Sequence, residues 1–125
     1  MRTERERDPD SSGQVKARKN MLTKEELYDQ ALTHFGNNEL DEAVAAFNTL
    51  LEQYPDYVDG HIGLGHAYER MSRYDEAIEA IKKAIEVDPT DPLNYTSLSI
   101  CYQRKGMIQE AEDAMAKSNQ LQMGT

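Results

Sequence analysis

Three histidines, one cysteine and two arginines set one repeat apart are the side chains of this chain with types suited to chemistry. His61 and His66 stand five apart, which does not stack them on one helix face as an i, i+4 pair would. His34 lies far from both in sequence and shares a column with Tyr68 and Tyr102, where a ring is expected to pack between helices, so a metal site is not expected. Cys101 would need a neighbouring cation to lower its thiol pKa, and Arg104, three residues on, is the one at hand. The surrounding pattern makes Cys101 a small buried filler instead. Gly63-Leu-Gly65 could be mistaken for a phosphate loop, but it sits inside a helical pattern with no strand before it. No nucleophile, base and orienting group come together at any spacing. The expectation is a protein that is no enzyme and holds no cofactor.

Composition narrows the partners. The net charge is −9, but the first 23 residues carry six Arg/Lys against four Asp/Glu, and residues 24–125 carry eight against nineteen. A folded part near −11 is a poor phosphate binder, so nucleic acid is not expected as a partner. No apolar run approaches the ~20 residues of a membrane span, so no membrane role is expected either. A single cysteine cannot form an internal disulfide, which points to a reducing cytoplasm.

What must position any binding residues is a repeat. Shifted by 34, residues 24–125 align on themselves without a gap as blocks 24–57, 58–91 and 92–125. Small residues recur at Ala31, Gly65 and Ser99, and rings at His34, Tyr68 and Tyr102. Glu42-Ala43, Glu76-Ala77 and Glu110-Ala111 recur as a pair, and Phe47, Ile81 and Met115 as larger apolar residues. Each block reads as two helices. In the middle one, Ile62, Gly65, Ala67 and Tyr68 fall at helical spacing, then Ala77, Ile78, Ile81, Ala84 and Ile85 do so again. Gly65 opposite Ala77 and Ala84 lets two backbones approach closely.

Start and stop signals set the ends. Thr23 with Glu26 is a capping box, with Leu22 and Leu27 placed as a hydrophobic staple. Asp91-Pro92 puts a cap before a first-turn proline, and Ser72 with Asp75 is expected to cap the fourth helix. Pro55 and Pro89 stop the second and fourth. The expected helices span 24–36, 39–53, 57–71, 73–87, 92–105 and 107–121. They form one domain over 21–125, behind a polar tail, residues 1–20, that is expected to be disordered. In the last helix Glu112, Ser118 and Asn119 replace apolar residues of the earlier copies. A polar outer face at that end is expected, as on the final unit of a complete stack.

These columns resemble the tetratricopeptide repeat family, most fully over Leu64–Pro89. Gln30, His34 and Met123 depart from its pattern. The resemblance implies an all-α, right-handed solenoid of three helix-turn-helix repeats, whose first helices line a concave face that receives a peptide or a partner's helix. Carried onto this sequence, the groove columns are Glu25, Tyr28, Leu32, Phe35 and Gly36; Asp59, Ile62, His66, Glu69 and Arg70; and Leu93, Thr96, Ile100, Gln103 and Arg104. The centre is apolar, and Arg70 and Arg104 could together hold a carboxylate. Both also suit helix C-termini, with Glu69 near enough to neutralise one. Members that clamp chaperone tails use basic and amide residues where this chain has Tyr28, Leu32, Gly63, Leu93 and Ser97, so that activity is not expected. The expected function is an adaptor or scaffold for a protein or peptide partner, the alternative a homo-oligomer joined through the groove or the terminal helices. Replacing Ile62 and Ile100 with Glu is expected to abolish capture at little cost in stability.

Overall fold

The computed structural model describes residues 22–124, so the expected disordered tail, residues 1–20, lies outside the described residues. Six helices follow one another: α1 Lys24–Gly36, α2 Leu40–Gln53, α3 Val58–Arg70, α4 Tyr74–Val87, α5 Pro92–Lys105 and α6 Ile108–Gln122. The chain is all-α among the described residues, and each helix packs on the one before it, with α1 also touching α3.

The helix starts show why these segments fold where they do. At α1, the Glu26 amide donates to Thr23 Oγ1 at 3.1 Å and the Thr23 amide to Glu26 Oε1 at 2.9 Å, so two orphan donors are satisfied reciprocally. Leu22 packs on the cluster that holds Leu27. At α5, Asp91 Oδ1 accepts the Leu93 amide at 3.0 Å, ahead of Pro92 in the first turn. The expected Ser72 cap is not formed. Arg73 holds the N-cap position of α4, and its side chain reaches Glu76 instead. Ser72 is occupied otherwise: its φ is +61°, in the left-handed region.

Asn38 at +60° and Gly106 at +88° occupy the same repeat column. In all three turns the next residue's amide donates back to the ring-column carbonyl: Glu39 to His34 at 2.9 Å, Arg73 to Tyr68 at 2.9 Å and Met107 to Tyr102 at 2.8 Å. The left-handed residues themselves donate to Phe35, Glu69 and Gln103 at 2.9–3.0 Å. Each hairpin therefore closes with a Schellman motif.

Small residues set the helix spacing. Ala31, Ala43, Ala67, Ala77 and Ala84 are wholly buried. A Cβ added at Gly65 would stand 2.7 Å from Ile81 Cγ1 and 3.3 Å from the Ala77 carbonyl, so α3 closes onto α4 at this point. Ile81 is the side chain nearest to that point. Phe47, Leu50 and Ile81 fill the interior, and Tyr68 borders both core clusters, joining one repeat to the next.

Two sequence expectations change. His34 does not pack as the other rings of its column do; it stays half exposed and meets Glu39 Oε1 at 2.8 Å. Ser118 does not lie on a polar outer face. It is fully buried, its hydroxyl satisfied by Thr96 Oγ1 at 2.8 Å, as a buried polar group requires. Glu112 and Asn119 are exposed.

Candidate groove on the concave face

Helices α1, α3 and α5 run the same way. Tyr28 meets Tyr57 at the start of α3 and Phe35 meets Arg70 at its end. His66 likewise faces Ser97, and Glu69 faces Arg104 further along. The N-termini of the three helices thus share one edge of a common face and their C-termini the other.

Between α1 and α3 lies a cleft of about 140 Å³ lined by Tyr28, Leu32, Phe35, Phe47, Ile62, Gly63 and His66. Five of the expected groove residues, Tyr28, Leu32, Phe35, Ile62 and His66, are brought together there. Tyr28 is fixed by Tyr57, edge-on at 5.6 Å, and by Phe47 at 6.1 Å. Burial first, then Asp59 and Asp29, raises its phenol pKa. Leu32 and Ile100 remain 38% and 39% exposed, large apolar side chains left with one face uncovered. Leu93, at 65%, stands out at the edge of α5. Gln103 is exposed beside Arg104.

Other expected groove residues are committed elsewhere. The Thr96 hydroxyl bonds Pro92 O and Ser118, so it serves the α5–α6 packing. Ile62 is half buried against the second core cluster, so the expectation that Glu there would leave stability unchanged does not hold. The two arginines do not form a free carboxylate clamp. Arg104 Nε holds Glu69 Oε2 at 2.7 Å, and the Arg70 guanidinium lies 4.2 Å over the Phe35 ring.

His66 Nε2 lies 3.3 Å from Ser97 Oγ. Burial lowers its pKa, with Glu69 raising it and Arg70 lowering it to smaller extents. His61 is buried on another side of α3, donating through Nε2 to Pro55 O at 2.7 Å, so the histidines stand apart with different partners. Among the described residues no three potential ligands gather as a metal site would need. Burial, then Glu69, pushes the Cys101 thiol up to about 11, against the smaller pull of Arg104.

Phe47, which lines the cleft, and Tyr57, which backs Tyr28, are contributors that the groove columns did not reveal. Phe47 belongs to a second helix and reaches the cleft only because Gly63 leaves its ring room. Tyr57, expected as the first residue of its helix, is the N-cap that precedes it. A wider cleft of about 460 Å³ opens on the other side of α3, between α2 and α4, with Leu64, Tyr68 and Ala80 in its wall and Glu79 and Lys83 at its rim. Tyr95, Leu98, Tyr102, Glu110, Asp113, Ala114 and Lys117 line its counterpart one repeat later.

Residues 28–92, more than half of the chain, match the tetratricopeptide repeat family, and residues 80–113 match a second tetratricopeptide repeat description. The chain belongs to the tetratricopeptide repeat family. No curated protein matches it. Among solved structures this tetratricopeptide repeat protein resembles MamA, with a TM-score of 0.78 and 27% identity over 82% of this chain and 60% of MamA. It also resembles SycD, the type III secretion translocator chaperone of Yersinia enterocolitica, solved as an alternative dimer. There the TM-score is 0.76 and the identity 25%, over 79% of this chain and 75% of SycD. The chain spans about three fifths of the length of MamA.

Proposed function

We propose that this tetratricopeptide repeat protein is an adaptor that performs no chemistry of its own and docks a peptide or helix of a partner protein in its concave groove. The carrying observation is the apolar cleft that Leu32 and Ile62 share between α1 and α3, with Leu32 and, in its column two repeats on, Ile100 left open to solvent although the chain has a core to bury them in. An apolar strip with a few polar fixtures suits a helix or extended peptide. The thiol is disabled by burial, and Arg104 is paired with Glu69. The lone buried cysteine suits a reducing compartment such as the cytoplasm.

The experiment is affinity capture with Leu32→Glu/Ile100→Glu against the parent chain, with Glu79→Lys on the opposite cleft as control. Loss of the partner with the double variant alone, at unchanged helix content, supports the groove. Retention of the partner by the double variant removes it.

A second reading is self-association. Leu93, Ile108 and Met123 are 65%, 56% and 75% exposed, and SycD has been solved as a dimer. Sedimentation equilibrium separates the two readings: a concentration-independent monomer would leave self-association without support.

A further inference from the structure

The groove has unlike edges. At the N-terminal edge, Asp59 and Asp29 lie close enough to raise the phenol pKa values of both Tyr28 and Tyr57, after burial, and Glu25 adds to that of Tyr57. All three carboxylates are exposed and make no ion pair among the described residues. Among the described residues Lys24 is the cation beside them, 5.2 Å over Tyr57. At the C-terminal edge the balance is reversed. Glu69 is taken by Arg104, leaving Arg70 stacked on Phe35 with no carboxylate partner among the described residues. Asp59 and Arg70 lie eleven positions apart on one helix, ~16 Å at 1.5 Å per residue. A helix ~10–12 Å across fits between them.

Resting on the groove reading above, we infer that the occupant is an amphipathic α-helix of another protein whose apolar stripe carries cationic residues along one flank and anionic residues along the other. Laid across α1, α3 and α5, such a helix presents its cationic flank to Glu25, Asp29 and Asp59 and its anionic flank to Arg70. Turning it end for end would set like charges against both edges. The unlike edges therefore select the partner and also the direction in which it lies.

Three synthetic amphipathic helices test this, sharing one Leu/Ile stripe and differing in their flanks: Lys/Glu, Lys/Lys and Glu/Glu. Net charge alone would rank the Lys/Lys peptide first, since the chain is acidic. Edge complementarity ranks the Lys/Glu peptide first, by roughly three- to tenfold from two exposed charge contacts. The advantage should shrink in high salt. Arg70→Glu, with fold checked by circular dichroism, should transfer the preference to the Lys/Lys peptide. Equal binding of all three, or Lys/Lys binding best to the parent chain, overturns the charged-flank inference and leaves the groove standing. Binding by none of the three overturns the groove reading itself.

Discussion

The left-handed turn column offers a test in which two neighbouring repeats must respond with opposite signs. Ser72 sits at φ +61° and Gly106 at +88°, each donating one arm of a Schellman motif and preceding the donor of the other. A Cβ in this region costs ~1–2 kcal/mol, and glycine's extra freedom in the unfolded chain returns ~0.4–1 kcal/mol of that. Ser72→Gly should therefore stabilise the protein by about 0.5–1 kcal/mol. The lost Tyr74–Ser72 contact, 3.5 Å and exposed, subtracts little. Gly106→Ala should destabilise by about 1 kcal/mol through φ alone, because nothing lies within 4 Å of the added Cβ. For a domain of this size, 1 kcal/mol moves Tm by ~4–8 °C. Urea and thermal unfolding followed by circular dichroism would read both. Shifts of the same sign, or a Gly106→Ala variant as stable as the parent, would refute the turn argument.

Other outcomes follow from the burial pattern. Ile100→Glu should leave Tm nearly unchanged, whereas Ile62→Glu, set against the second cluster, should cost ~1–3 kcal/mol in the same unfolding assay. Cys101, with its thiol pushed up to about 11, has about one thiolate in a thousand at pH 8, so native labelling by iodoacetamide should be negligible and become complete in denaturant. The native His66 pKa lies below 6.5, so the unfolded chain binds more protons between the native value and 6.5. Its contribution to stability is present above pH 6.5 and erodes as pH falls through that window; His66→Gln should flatten this part of the stability profile.

The fold was legible because the 34-residue period repeats small residues where helices touch, and spacing of that kind leaves few alternatives to stacked hairpins. Thr23 and Asp91 announced their caps, since their side chains act on amides two or three residues away. Ser72 misled because its identity suits an N-cap while its position demands left-handed backbone; only Gly106 carries the residue type that signals such a turn. Groove columns were visible in part. Tyr28, Leu32, Ile62 and His66 converge, but Thr96 turns to Ser118 and Arg104 to Glu69, choices made by neighbours 22 and 35 positions away. Phe47 enters the cleft from a second helix, which no first-helix column could reveal.

Photo-crosslinking from single positions tests the central claim most directly. With benzoylphenylalanine placed at Ile100 or Leu32 in the groove, and at Glu79 on the opposite cleft, irradiation in the presence of the captured partner should yield a covalent heterologous adduct from the first two positions and none from the third. An adduct from position 79 alone would contradict the proposal that the concave face receives the partner.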